Sequence, residues 1–532
     1  CDGAKPSCAA KIAMSVETGL LAYEMAKNQC RFMEGEGIVG KNADETIEAV
    51  GRIGKDGMRE TDSKILEIMM SSRLMKLTVI GGCGSRSLML AKCLAQQAES
   101  LGITEVVFMD TDQERVRVFG SMVKEVFART APSVHYVCTT DEKEAVWEAD
   151  FIITTIRAGK EESRIIDERV ALKHGVIGQE TTGVGGFAMA LRSIPTLLHY
   201  CELIRRYAAP NVMVFNFTNP AGLVTQALRD QGYSFVYGIC DAPSGFMRQV
   251  AGLYKAEASD FQVHLIGLNH LSYFTSVKKE NREMLPEILK DPRLYEQTDM
   301  RYFEPKLAQH MGCMLNEYLY YFYYREKALQ NIQKTGETRG ERIKRINDCM
   351  LQELGRYDAG KDFDKMLEIY RDHTYMRESN YMQGETSVAR DDACIPKFDL
   401  NTKDEGGYAG VALALMRAKI TGKEGEMILC MPNQGTVDWL KDTDVIEVSC
   451  HISKAGAVPK PGPYTLPQSA KQLICAVKYY ERTAAQAIVE RNAKKAIDAL
   501  MVNPLVNSYS LAEELLREYL EIYEEYTGGW KV

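Results

Sequence analysis

The chain has 532 residues, of which 45% are hydrophobic and 26% charged, with a formal net charge of −8. Such a length exceeds one ordinary core and predicts two or three domains. The acidic balance excludes a broad nucleic-acid-binding face, and no apolar run approaches the roughly 20 residues needed to cross a bilayer.

Fourteen cysteines are scattered along the chain. At this spacing they read as buried, reduced thiols and not as a compact disulfide scaffold. No secretory signal opens the sequence. The expectation is a cytoplasmic protein with no membrane or nucleic-acid partner.

The first segment, residues 1–72, begins with Cys1 and not with Met. CDGAKPSCAAKIA starts as a turn and continues as a helix; ADETIEAVGRIG and GMRETDSKILEIMMS predict further helices. Two or three helices leave an apolar face uncovered, so this segment must dock on something.

A different pattern starts at Lys76. KLTVIGGCGSRSLMLAKCLAQQ reads as a strand, a glycine-rich turn and a helix. Gly81, Gly82 and Gly84, followed by Ser85, let the backbone approach a pyrophosphate at a helix N-terminus. The spacing departs from GxGxxG, because Arg86 and Ser87 stand where a third glycine could fall. The next strand, EVVFMDTD, ends in Asp110, placed for a ribose hydroxyl, with Asp112 as the alternative. A carboxylate there favours NAD over NADP. ADFIITTIRAG predicts a third strand, and the polar GQETTGVGG breaks the helical pattern around it as a loop lining a site. Arg157, Arg164 and Arg192 are candidates for holding an anion.

Three apolar segments then end in reactive residues: NFTNPAG, GICDAPSG and GLNHLSYF. They bring Asn219, Cys240 with Asp241, and His270 to strand mouths, where open α/β sheets place ligands. A thiolate and an imidazole together form a half-site for a divalent transition metal. Further on, MGCMLNEYLYYFYYREKAL has tyrosines at a spacing that suits packing. KTGETRGERIKRIND is polar and charged, EMILCMPNQGTVDWLKDTDVIEVSCHI reads strand–loop–strand, and residues 465–525 are helical in period.

Taken in order, VIGGCGS, Asp110, IRAG, DERVALKHGVIGQETTGVGG, NFTNPAG, GICDAPSG and GLNH resemble glycoside hydrolase family 4, the NAD-dependent exception among glycosidases. The resemblance implies a Rossmann-like NAD-binding domain over 73–270 and an α+β catalytic and oligomerisation domain over 271–532. It implies NAD and a divalent ion, Mn²⁺ in most members, as cofactors, and a small phosphoglycoside as substrate. It also implies a homo-oligomer, dimer or tetramer. Cys240 and His270 would be metal ligands, and Asn219 would contact sugar hydroxyls. Asp241 would be the leaving-group acid of α-specific members. Tyr318 would be the base for the C2 proton, and Arg164 and Arg339 would lie near the substrate. The opening segment, through CDGAKPSCAAKIA and GRIGKDGMRETDSKIL, resembles the C-terminal end of the serine dehydratase alpha chain and cysteine desulfidase family. That likeness places Cys1 and Cys8 in an iron–sulfur loop and the segment as a remnant or fused piece.

On the residues alone three other classes stay open. These are an NAD-dependent dehydrogenase of a hydroxy acid or sugar, a lyase fragment acting through Cys1 and Cys8, and a non-catalytic sugar-phosphate or nucleotide binder.

Overall fold

The structure, a computed structural model, describes residues 75–530 except 393, 394, 396 and 404–408. The helices expected over 1–72, with Cys1 and Cys8, lie outside the described residues.

Thirteen strands join in one sheet. In chain order they are β1 (Met75–Ile80), β2 (Ile103–Met109), β3 (His135–Thr139), β4 (Phe151–Thr154), β5 (Met213–Asn216), β6 (Val236–Gly238), β7 (Phe261–Leu268), β8 (Leu271–Lys279), β9 (Arg282–Glu283), β10 (Met314–Leu315), β11 (Gly425–Pro432), β12 (Val445–Ser453) and β13 (Gly456–Pro459). β1 to β6 are parallel in the order 3-2-1-4-5-6. This is the order of a doubly wound dinucleotide-binding fold. β4 and β5 are buried along their whole length, as suits unbroken apolar runs in a parallel sheet covered on both faces.

Beyond β6 the sheet continues antiparallel through β11, β12, β7, β8 and β10. A hairpin from residues 425–453 is thus inserted between β6 and β7, which are near neighbours in sequence. The sequence predicts a domain boundary at 270. It falls in the two-residue turn of the β7–β8 hairpin, whose strands pair directly across it. Residues Met75–Val532 form one compact unit, because β11 and β12 tie the parallel and antiparallel halves together by backbone hydrogen bonds. The fold is α/β.

The helices that position the site are α1 (Ser87–Ala98), α2 (Lys160–Lys173), α3 (Gly183–Tyr207), α4 (Ala221–Asp230), α5 (Ala242–Leu253), α6 (Arg339–Leu354), α7 (Ala359–Ser379) and α8 (Gln468–Glu490). The glycine-rich loop expected at GQETTGVGG is shorter than the motif. Gly183–Gly186 already form the first turn of α3, and α3 runs on through Pro195. A side chain at Gly185 or Gly186 would collide with the backbone of Gly178–Thr181 at 2.5–2.6 Å, so the glycines let the loop fold back against its own helix. The tyrosine-rich segment breaks into a one-turn 3₁₀ helix at Glu317–Leu319 and a short helix at Tyr320–Tyr323. The Asn316 side chain caps the first of these by accepting the Tyr318 N–H at 3.0 Å.

Candidate active site

A cavity of about 950 Å³ opens at the carboxyl ends of the parallel strands, lined by Gly81, Gly82, Gly84, Ser85, Asp110, Asp112, Arg164, Asn219, Cys240, Asp241, His270, Tyr318 and Arg339 among the residues singled out in the sequence, but not by Arg192. The glycine turn, Asp110, Asn219 and Cys240 meet here because parallel strands all end on the same edge; His270 comes from the end of β7 in the antiparallel half, and Arg164, Tyr318 and Arg339 from helical segments packed over that edge.

At one end lies the glycine turn. Gly81 has φ +80°, and a Cβ there would meet the Ile156 backbone at 2.9 Å; at Gly82 it would meet the Phe108 ring at 2.8 Å. Gly84 has nothing within 4 Å of the same position, so its backbone faces open space. The hydroxyl of Ser87, at the start of α1, is buried without a hydrogen-bond partner. An open glycine and an orphaned hydroxyl at a helix N-terminus fit a phosphate group. Asp110 accepts the Cys83 N–H at 3.2 Å and the Asp112 N–H at 3.1 Å, which fixes its carboxylate over the turn. Burial pushes its pKa up. Asp112 does different work: it caps the turn at Gln113–Arg115 and pairs with Lys160 at 2.7 Å. Of the two, Asp110 is the one free of a cation at hydrogen-bond distance.

At the other end the Cys240 sulfur lies 3.5 Å from His270 Nε2. At that spacing a thiolate and an imidazole would both be able to hold one divalent ion. The imidazole is also correctly presented. Thr181 gives its hydroxyl proton to Gln179 Oε1 at 2.6 Å, so it can only accept from His270 Nδ1, 2.8 Å away. The proton is therefore on Nδ1, and Nε2 turns a lone pair toward Cys240. Burial lowers the His270 pKa to about 4, which keeps the ring neutral. Burial, then Glu447 and Asp241, push the Cys240 thiol up; a cation would reverse that. Among the described residues no group of three or more His, Cys, Asp or Glu is arranged around an ion. The pair is a half-site whose remaining positions are left to water or substrate oxygens.

Tyr318 stacks on His270 with ring centroids 3.9 Å apart. Its hydroxyl lies 3.2 Å from that of Tyr381, which is 3.1 Å from Glu317 Oε1. The chain's own groups raise the phenol strongly, burial first and Glu317 second. A cation lies one ring away from this stack: Arg390 sits over Tyr381, 4.4 Å from the centroid. Asp241 begins α5 on the cavity wall, its carbonyl accepting the Gly245 N–H at 2.8 Å. Asn219 precedes a cis proline, and its carbonyl accepts from Ser193 at 3.2 Å.

The arginines separate into two groups. Arg164 is neutralised by Glu168 at 2.8 Å and Glu180 at 3.2 Å, and Arg157 pairs with Glu180. Arg192, expected as an anion contact, is instead fully buried. It pairs with Asp167 at 2.7 Å beneath the Tyr523 ring, because α3 packs that face on α2. Arg339 donates to the carbonyls of Asn380 and Arg377. Arg377, on α7, donates to Ser85 Oγ at 2.9 Å and to Asn347. Burial, then Arg86, lower its pKa to about 9. Both guanidiniums are hydrogen-bonded to neutral acceptors on the cavity wall. Sequence reasoning missed Arg377, Glu317, Tyr381, Thr181 and Gln179. Only the QETT segment carried a signal, as a loop.

Sheet order, glycine turn and strand-end cavity together define a Rossmann-type α/β protein with a cysteine–histidine pair in its crevice. The chain belongs to glycosyl hydrolase family 4: the models of the Family 4 glycosyl hydrolase and of its C-terminal domain match residues 76–256 and 265–506. It is a glycosidase by class. Residues 1–67 match the serine dehydratase alpha chain. A 6-phospho-beta-glucosidase of Thermotoga maritima is 30% identical over 460 residues, 85% of this chain and 99% of the relative. A phospho-alpha-glucosidase of Clostridium acetobutylicum is 28% identical over 85% of this chain and 98% of its own. The structure of the Thermotoga maritima 6-phospho-beta glucosidase with manganese, NAD⁺ and glucose-6-phosphate has a TM-score of 0.69 and 28% identity, covering 85% of this chain and 99% of the other.

Proposed function

We propose that this protein hydrolyses a 6-phosphoglucoside by an oxidation–elimination–addition–reduction cycle that uses NAD and a divalent ion, with Mn²⁺ the ion favoured. The observation that carries the proposal is the stack of Tyr318 on His270 beside Cys240, in the same cavity as the glycine turn. It supports a reading in which Tyr318 is the base and Cys240 with His270 the metal half-site, in the cavity that the glycine turn also lines. When bound, NAD takes up and returns the hydride at C3 while the ion polarises the sugar oxygens as a Lewis acid.

The chain's residues supply the rest. Gly81, Gly82, Gly84 and Ser85 receive the pyrophosphate, and Asp110 the ribose. Cys240 and His270 Nε2 hold the ion, with Thr181 fixing the imidazole. Tyr318 removes the C2 proton, and Tyr381 and Glu317 lie in line behind its oxygen. Asp241 protonates the departing aglycone, which favours an α-linked substrate. Asn219 faces the sugar hydroxyls. Arg339 and Arg377 supply the charge for the 6-phosphate, and Arg164 braces them through Glu168, which accepts the Gly340 N–H at 2.7 Å.

The test is hydrolysis of 4-nitrophenyl 6-phospho-α- and β-glucosides with NAD, Mn²⁺ and reductant each omitted in turn. Hydrolysis that requires all three is expected, faster on the α anomer. Activity indifferent to NAD or metal would overturn the proposal. Net NADH formation from a hydroxy acid would point to a dehydrogenase instead.

A further inference from the structure

One buried carboxylate behind the cavity has no part in the steps above. Glu447, on β12, is 1% exposed. In the order β7–β12–β11–β6, two strands stand between the one leading to His270 and the one leading to Cys240. Glu447 is opposite Gly267 of β7 on one side and Cys430 of β11 on the other, and Cys430 is opposite Gly238 of β6. The carboxylate therefore lies on the line of strands that joins the two halves of the cysteine–histidine pair.

Its oxygens receive three donors. Asn269 Nδ2 reaches Oε1 at 3.1 Å, Ser272 Oγ reaches Oε2 at 2.7 Å, and the Cys430 thiol reaches Oε1 at 3.8 Å. Asn269 and Ser272 bracket His270. That residue has φ +64° in a two-residue turn, a left-handed conformation that a histidine keeps only where its surroundings over-determine it. The hold extends further. The Ser272 carbonyl accepts the Asn316 N–H at 3.1 Å, and Asn316 caps the turn that presents Tyr318.

We infer that Glu447 is a positioning residue for the metal half-site: it pins the turn that aims His270 Nε2 at Cys240, and through Ser272 and Asn316 it keeps Tyr318 against that imidazole. The inference rests on the metal reading of Cys240 and His270. A glutamine at 447 would set its NH₂ either against the donor-only Asn269 Nδ2, losing that bond, or against Ser272 Oγ, which would have to reverse and accept; either way the bonds that hold the turn change.

The experiment measures Mn²⁺ binding to the full chain by the free-ion EPR signal, and NAD binding by fluorescence, in wild type and E447Q. The expected result is a 10–100-fold weaker Mn²⁺ dissociation constant in E447Q, with NAD affinity within twofold of wild type. Activity of E447Q should recover as Mn²⁺ is raised, a change in the metal requirement that a general loss of structure would not produce. Should E447Q not fold, N269A and S272A each remove one of the bonds and should each weaken Mn²⁺ severalfold. A wild type that binds Mn²⁺ and an E447Q that binds it equally well would overturn this inference alone. A wild type that binds no Mn²⁺ would overturn the metal reading and this inference together.

Discussion

The imidazole of His270 and the phenol of Tyr318 lie face to face, 4° from parallel with centroids 3.9 Å apart. The stack keeps Tyr318 beside the imidazole that would hold the ion. Tyr318→Phe should keep the stack and remove the base. The expected outcome is a fall in turnover of about 10²–10⁴-fold and no deuterium incorporation at C2 in D₂O, followed by NMR. Retained exchange would assign the base to another tyrosine.

The glycine turn separates stability from binding. Gly84→Ala adds a methyl group into open space, whereas Gly81→Ala must accept φ +80° and a 2.9 Å contact with Ile156. Gly84→Ala should leave the melting temperature within about 1 °C and weaken NAD at least tenfold, because the methyl occupies the space of a phosphate oxygen. Gly81→Ala should lower the melting temperature itself. Fluorescence titration and calorimetry distinguish the two.

Removing the metal should be reversible. Dialysis against a chelator is expected to abolish glycoside hydrolysis, and added Mn²⁺ to restore it. Cys240→Ser should not be restored by the same Mn²⁺ concentration, since an alcohol at this position is a far poorer donor than a thiolate. Full recovery of that variant would remove Cys240 from the ligand set.

Glu317 makes stability depend on pH. Burial first, and Asp299 second, raise its pKa from 4.5 to about 8. Between those values the folded protein keeps a proton that the unfolded chain has released. Its contribution is complete below about pH 4.5 and is lost as pH rises through about 8. The melting temperature of the metal-free protein should fall across that window, and Glu317→Gln should flatten the fall. Parallel profiles for the two proteins would contradict this.

The pair of Arg192 and Asp167, both fully buried and 2.7 Å apart, is structural. Tyr523 also donates to Asp167 Oδ1 at 2.6 Å. Asp167→Asn leaves a guanidinium uncompensated in the interior and should cost about 3–5 kcal/mol, seen as a lower denaturant midpoint. Hydrolysis per folded molecule should be unchanged.

Arg192 also marks where reading the sequence stops. Its sign and its place after a glycine-rich loop suggested an anion contact, but nothing local announces Asp167, 25 residues earlier, as its partner. The strand-end residues were legible because each follows an apolar run; for Asp110, Asn219 and Cys240 the parallel strands leave only one edge at which to gather them, and the antiparallel β7 brings His270 to the same place. Asp110, Asn219, Cys240 and His270 therefore share a cavity as expected. Arg377 and Tyr381 come from α7 and the segment after it, where they read as ordinary helical polarity, and only tertiary packing turns them inward. The same holds for the β11–β12 hairpin. Its two strands were visible as strands, but a strand's neighbours are chosen by edges formed elsewhere in the chain, so its place between β6 and β7 had no sequence mark.

That placement bears on how the protein is made. During synthesis β6 ends at Gly238 and β7 at Leu268, well before the hairpin that separates them begins at Gly425, and each must wait with an unpaired edge. Until residue 453 has left the ribosome, Cys240 and His270 have nothing to set the gap between them. Chains cut short before β11 should therefore be unable to collect the ion and should be prone to pairing edge to edge with one another. The half-site becomes a late checkpoint on completion of the chain.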